Sequence, residues 1–180
     1  MIYMFLANGS EEIEALMPLD LMRRAGLPVK TVGVGSLDIT GSHGITVKAD
    51  MLDSDLSDNS PECVILPGGM PGTKNLDASP VVHKALDSAL ENNALICAIC
   101  AAPLVLGKRG YLEGKRAVCY PGFEQFLSGA TVSETETVVK DGNVITAKGM
   151  GAAFEFGLEL VRALKDDETA ESIKKSVFAK

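Results

Sequence analysis

The residues with the clearest chemical potential are two cysteines near the middle of the chain. Cys97 and Cys100 lie in the stretch 94–103, which reads Ala-Leu-Ile-Cys-Ala-Ile-Cys-Ala-Ala-Pro. The apolar run is typical of a buried strand, and the small residues after Cys100 allow the chain to turn sharply into a helix. A thiol on such a strand-turn-helix elbow faces backbone N–H groups at the start of the helix, which stabilise a thiolate. Cys100 is therefore the candidate nucleophile.

The C-x-x-C spacing of these cysteines also suggests a redox disulfide. A working dithiol places both sulfurs at the start of a helix, whereas Cys97 lies inside the extended run. Extended chain separates the two Cα atoms by about 10 Å, which is beyond the reach of a disulfide. A zinc site is not expected either, because the chain offers no second ligand pair. We therefore expect free thiols in a reducing compartment and no metal.

A carboxyl group near the start of the chain is the candidate partner of the thiol. The sequence predicts a strand over 2–7 and then a helix capped by Ser10. On that helix the residues three, four and seven positions after Glu14 are all apolar, so Glu14 is the acid expected to be buried. A buried carboxyl group keeps its proton and donates it to a nearby thiolate, so the two groups would titrate as a unit. Cys100 is then expected to be the anion near neutral pH.

Backbone N–H groups are predicted to complete an anion site around the thiol. Gly68 and Gly69 follow a short apolar strand over 63–66, and glycine lets the backbone approach a ligand closely. The N–H groups of Gly69 and Ala101 are the candidate oxyanion donors for a carbonyl substrate.

Two later strand ends are expected to close a substrate pocket. Tyr120 ends one predicted strand, and Lys148 and Gly149 follow a predicted hairpin. Because ligands bind beyond the carboxyl ends of parallel strands, these three residues and Gly68 form the predicted pocket.

The pattern of the whole chain places these segments in one fold. Apolar runs alternate with amphipathic stretches across short glycine-rich connections, which predicts a doubly wound α/β domain over 1–180 with a mainly parallel sheet. The predicted strands cover 2–7, 29–34, 63–66, 94–99, 116–120 and a hairpin within 138–147. The predicted helices start at Glu11, Ser79, Ala101, Ala152 and about Asp167. A hairpin-like excursion at 37–49 carries His43 as an exposed loop residue, and 50–61 is predicted to be a surface connection.

Charge and composition exclude two classes of partner. The chain has 17 Lys and Arg against 24 Asp and Glu, a net charge of -7, whereas nucleic-acid binders present a basic surface. No stretch reaches the roughly 18 apolar residues that span a bilayer, and no basic region precedes the first apolar run. We expect a cytoplasmic protein with no nucleic-acid or membrane partner.

Together these stretches resemble the ThiJ/PfpI superfamily, and within it the DJ-1-like branch. The matching segments span nearly the whole chain in family order: 7–14, 22–26, 66–69, 98–103, 148–151 and 154–156. The resemblance implies a flavodoxin-like three-layer sandwich, a homodimer, and Cys100 as an oxidation-sensitive nucleophile paired with Glu14. It also implies cofactor-free glyoxalase or deglycase action on a small carbonyl substrate, or redox sensing and chaperone-like protection.

Two departures from the family pattern bear on the reaction. Protease-like members have a histidine directly after the cysteine, where this chain has Ala101, and several glyoxalase members have a histidine where this chain has Tyr120. Proton transfer would then fall to Glu14, to the Tyr120 hydroxyl or to water. We therefore do not expect peptidase activity, and we expect weak glyoxalase activity. Two alternatives stay open: a redox sensor that works by oxidation of Cys100 to a sulfinate, and a structural α/β dimer whose site has decayed.

Overall fold

A seven-stranded sheet forms the centre of the computed structural model of the protein, which describes residues 1–57 and 60–179. The strands are β1 (Ile2–Leu6), β2 (Val29–Gly33), β3 (Asp38–Thr40), β4 (Thr46–Lys48), β5 (Met51–Leu52), β6 (Cys63–Leu66), β7 (Leu95–Ile99), β8 (Arg116–Ala117), β9 (Thr131–Val132), β10 (Val138–Asp141) and β11 (Val144–Ala147). The helices are α1 (Glu12–Arg24), α2 (Gly72–Asp77), α3 (Pro80–Glu91), α4 (Pro103–Lys108), α5 (Ala153–Leu164) and α6 (Asp167–Ser176).

The order of strands in the sheet brings four strand ends together. The order is β10-β11-β7-β6-β1-β2-β5, and every neighbouring pair is parallel except the β10–β11 hairpin. The segments that follow β1, β6, β7 and β11 therefore meet at one edge of the sheet. These are the segments in which the sequence placed the candidate site.

Two apolar layers cover the faces of the sheet. Alternate residues of β1 point to opposite faces: Met4 packs with the layer that includes Phe156 of α5, and Phe5 packs with the layer that includes Leu86 of α3. The predicted three-layer α/β sandwich with a mainly parallel sheet is confirmed. Among the described residues, no helix is both long enough and apolar enough to cross a membrane.

Two predicted segments differ from the structure. Only Arg116–Ala117 of the predicted strand 116–120 is a strand, and it pairs with β9 outside the main sheet. The predicted connection 50–61 contains β5, which pairs with β2 at the sheet edge, while its residues 58 and 59 lie outside the described part of the chain. Pairing with an edge strand needs only two residues, which are too few to show the alternation of apolar and polar residues that predicts a strand.

The start of α1 also differs from the prediction. Glu11 is the cap: its Oε2 accepts the N–H of Glu14 at 2.7 Å. The Ser10 hydroxyl instead accepts the N–H of Ala7 at 3.2 Å and so closes the turn before the helix. A carboxylate at this position satisfies a free N–H at the helix start as a serine would.

Candidate functional site

Cys100 lies on a sharp elbow directly after β7. Its φ is +65°, in the left-handed region that residues other than glycine rarely adopt. Its N–H donates to the carbonyl of Ala147 at 2.8 Å, and its carbonyl accepts the N–H of Tyr120 at 2.8 Å. These two bonds hold the elbow between the end of β11 and the segment that contains Tyr120.

The carboxyl group of Glu14 lies against this elbow. Glu14 is 1% exposed, and its Oε2 accepts the N–H of Gly68 at 3.1 Å. A side-chain hydrogen bond joins it to Cys100, and the N–H of Met150 also donates to it. A Cβ at position 68 would lie 2.5 Å from Glu14 Oε2 and 2.6 Å from Cys100 Cβ, so only glycine fits between the two groups. The structure thus brings Glu14, Cys100 and Gly68 together.

Burial dominates the proton affinity of both groups. It raises the pKa of Glu14 to about 7, and the negative charge of Glu11 adds to this, while hydrogen bonds from Cys100 and from backbone N–H groups act in the opposite direction. Burial also raises the pKa of the Cys100 thiol to about 12, together with the charge and hydrogen bond of Glu14. The N–H groups of Gly69 and Ala101 donate to the sulfur and act against that rise.

The pair loses its two protons in separate steps. The first proton leaves the pair near neutral pH, and the pair holds the second, between the carboxyl group and the sulfur, to well above neutrality. The two pKa values belong to the pair, so the expectation that Cys100 is the anion near neutral pH stays a prediction.

Two of the predicted pocket residues flank this pair. A Cβ at Gly149 would lie 3.4 Å from the ring of Tyr120 and 3.9 Å from Oε1 of Glu14. Gly149 therefore separates the aromatic ring from the carboxyl group. Tyr120 is 51% exposed, so its ring forms the outer edge of this arrangement.

The side chain of Lys148 lies elsewhere. Its ammonium donates to the carbonyl of Glu134 at 2.6 Å, and the residue lines a separate cavity of about 520 Å³ beside Cys119. Lys148 and Gly149 follow the extended strand β11, where consecutive residues point in opposite directions. Because Gly149 faces Glu14, the side chain of Lys148 points away from Glu14. The prediction that grouped the two residues did not take this alternation into account.

The other cysteines are buried in different surroundings. The sulfurs of Cys63 and Cys97 lie 3.8 Å apart, and neither residue is exposed. Because Cys97 pairs with Ile65, its Cα lies about 8 Å from that of Cys63, too far for an unstrained disulfide. Burial, with the charge of Glu124, raises the pKa of Cys119 to about 11. Cys100 is the cysteine that is not fully buried.

Sequence reasoning missed the role of Glu12. One oxygen accepts the N–H of His43 at 2.8 Å, and the other lies 2.9 Å from His43 Nδ1. The ligand atoms of Glu11, Glu12 and His43 lie within 4.8 Å of one another, which would suit a metal, but hydrogen bonds to the β3–β4 hairpin already occupy Glu12. We therefore assign these hydrogen bonds, of Glu12 with His43 and Ile45, to a structural role and call them the Glu12 clamp, rather than assigning the group as metal ligands. Its partners lie about 30 residues apart, so no local spacing signals it.

A cysteine on a strand-turn-helix elbow places the chain in the class of three-layer α/β sandwich proteins with an elbow cysteine. Comparisons with known proteins identify its family. The DJ-1/PfpI family model matches residues 1–163. The Parkinson disease protein 7 homolog of Danio rerio is 37% identical over 179 residues, 97% of this chain and 95% of that one. The chain belongs to the DJ-1/PfpI family.

Two further relatives bear on fold and function. The crystal structure of Drosophila melanogaster DJ-1beta superposes with a TM-score of 0.95 at 33% identity and covers 99% of this chain and 97% of its own. A Caenorhabditis elegans protein named glutathione-independent glyoxalase DJR-1.2 is 32% identical over 168 residues, 93% of this chain and 90% of that protein. The family thus includes glyoxalase-type enzymes.

Proposed function

We propose that the protein is a cysteine-dependent, cofactor-free enzyme that acts on small reactive carbonyl compounds, as a glyoxalase or a deglycase. The observation that carries this proposal is the close approach of the buried Glu14 carboxyl group to Cys100 across Gly68, with Cys100 on a constrained elbow. The name of the Caenorhabditis elegans relative supports it. The expected homodimer and cytoplasmic location stay predictions.

Glu14 is the base that this site offers. A carboxyl group with a pKa of about 7 is poised to accept and return protons near neutral pH. The two histidines of the chain lie elsewhere: His43 is bonded to Glu12, and His83 is on α3. The ionised Glu14 accepts the thiol proton while the sulfur of Cys100 attacks an aldehyde carbon.

The proposed reaction converts an α-oxoaldehyde to a 2-hydroxy acid in three steps. The S–C bond forms as the thiol adds across the aldehyde, which gives a hemithioacetal. Glu14 first passes the thiol proton to the aldehyde oxygen, which leaves Glu14 ionised. It then removes the proton from the former aldehyde carbon and returns it to the neighbouring carbon, while the hydroxyl proton moves to the neighbouring oxygen. The hemithioacetal thus becomes a 2-hydroxyacyl thioester with no net oxidation. Water breaks the C–S bond and releases a 2-hydroxy acid and the free thiol. The N–H groups of Gly69 and Ala101, which face the sulfur, are the donors for the developing oxyanion.

Lactate formed from methylglyoxal tests this function. The wild-type protein is expected to form lactate, with a rate that rises with pH through about 7 as Glu14 ionises. Cys100→Ala removes the nucleophile and should reduce the rate to background. Cys119→Ala is the matched control, since it deletes a thiol that lines the separate cavity, and it should retain the activity. Equal lactate formation by the wild type and Cys100→Ala would refute the proposal.

A redox sensor is the second candidate function, and the selective exposure of Cys100 favours it. The other three thiols are buried, while Cys100 is reached by solvent beside a carboxyl group that can bond a sulfinate oxygen. After treatment with dilute peroxide, intact-peptide mass spectrometry should find two added oxygens on Cys100 and none on Cys97. Equal oxidation of all four cysteines would contradict sensing at this site.

A further inference from the structure

An exposed histidine lies close to the start of the helix that carries Glu14. His43 is at the tip of the β3–β4 hairpin, and its side chain is 70% exposed. Its Nδ1 lies 2.9 Å from Glu12 Oε2 and 3.9 Å from Glu11 Oε1. A Cβ at Gly41 would clash with the Glu12 carboxyl group, so the hairpin fits closely over these two acids.

Glu11 links this surface cluster to the buried pair. Its Oε2 accepts the N–H of Glu14 at 2.7 Å, and its own N–H donates to the carbonyl of Gly68 at 2.9 Å. Gly68 in turn donates to the carboxyl group of Glu14. Two hydrogen-bonded connections therefore join Glu11 to Glu14, and the charge of Glu11 helps to raise the pKa of Glu14.

We propose that His43 is a positioning residue of the Cys100 site: its positive charge, held against Glu11 and Glu12, offsets the negative field that Glu14 and Cys100 experience when they lose a proton. The proposal rests on the assignment of Glu14 and Cys100 as the working pair. Among the described residues, the charged groups that face His43 are Glu11 and Glu12 of α1, and those that face the buried pair are Glu11 and the two members of the pair.

The sign of the effect follows from electrostatics. A neutral residue at position 43 leaves the charge of Glu11 uncompensated, so the pair holds its protons to higher pH. A protonated His43 opposes that charge and releases the protons at lower pH. The hydrogen bond and charge of Glu12 raise the pKa of His43, which keeps the imidazole charged closer to neutral pH.

Two substitutions separate this charge effect from a structural role. His43→Gln removes the charge and His43→Lys keeps it up to about pH 10, while both replace the imidazole contact with Glu12. The readout is the pH dependence of Cys100 alkylation by iodoacetamide, measured by mass spectrometry at low and high salt. Alkylation needs no turnover, so absence of lactate formation would leave this test intact.

At low salt, His43→Gln is expected to move the inflection near pH 7 upward by about 0.3 to 0.6 pH unit, the effect of a unit charge on the order of 10 Å away in a medium close to water. The upper step lies above the pH range in which an imidazole is charged and should not move. His43→Lys should lie at or below the wild-type profile, and about 1 M salt should remove the difference. His83→Gln, which changes the other histidine, is the control and should leave the profile unchanged. Identical profiles for His43→Gln and His43→Lys would overturn the proposal, because they would show that only the contact matters.

Discussion

Glu11, Glu12 and Glu14 share the first turn of one helix, yet their surroundings give them different chemistry. Although burial raises the pKa of Glu12, hydrogen bonds from the His43 side chain and from backbone N–H groups lower it to about 2. Burial raises the pKa of Glu14 to about 7, the charge of Glu11 adds to this, and hydrogen bonds offset only part of the rise. Glu11 remains partly exposed as the helix cap. The balance between burial and hydrogen bonds at each carboxylate therefore decides which acid stays charged and which can move a proton.

The substitution Glu14→Gln tests the order in which the buried pair ionises. The carboxylate of Glu14 raises the pKa of Cys100, so its removal should lower the pKa of the thiol by on the order of 1 to 3 units. Alkylation of the wild-type protein should rise slightly near pH 7 and fully only well above neutrality. In Glu14→Gln the step near pH 7 should disappear, and a single step should occur below the upper wild-type step.

The exposed Glu91 at the end of α3 provides a matched control. Glu91→Gln removes the same charge far from the thiol and should leave the alkylation profile unchanged. A single wild-type step near neutrality that Glu14→Gln moves upward would instead show that the thiolate is the anion and the carboxyl group its donor. That outcome would confirm the expectation from the sequence that Cys100 is the anion near neutral pH.

At the scale of elements, the sequence predicts the parts of the site that depend on local signals. The small residues after Cys100 predict the elbow, and the glycines after β6 predict a loop that passes close to it. Burial of Glu14 follows from the apolar residues one and two turns further along α1. Each signal spans fewer than about ten residues, which is the range over which turn chemistry and helix period act.

Features that depend on distant partners could not be predicted in this way. The Glu12 clamp requires a hairpin about 30 residues further along the chain. The direction of the Lys148 side chain depends on the register of β11 in the sheet, and β5 exists only because the edge of β2 is available. The ionisation of the Glu14–Cys100 pair depends on its burial and on backbone donors from three separate loops. Tertiary packing rather than local propensity determines all of these.

At the scale of the whole molecule, the buried acids make stability depend on pH in opposite directions. The folded pKa of Glu14 is raised above the ordinary value of 4.5, so its ionisation costs stability as the pH rises from about 4.5 through 7. The folded pKa of Glu12 is lowered to about 2, so its contribution is present above 4.5 and is lost as the pH falls toward 2. Together these two acids favour the folded state most strongly near pH 4.5 to 5.

Glu12→Gln should therefore change the acid limb of the stability profile. The clamp lies beneath an exposed hairpin tip, so solvent screening reduces its contribution to about 1 to 2 kcal/mol above pH 5. The measurement is the free energy of unfolding in urea at pH 6, 4 and 3. At pH 6 the wild type should be more stable than Glu12→Gln by this amount. The difference should shrink at pH 4 and again at pH 3, because protonation removes the charge that the hairpin N–H groups stabilise. Glu91→Gln, at an exposed position, should show no pH-dependent difference from wild type. A constant difference between Glu12→Gln and wild type from pH 6 to pH 3 would mean that Glu12 stabilises the fold by packing rather than by its charge.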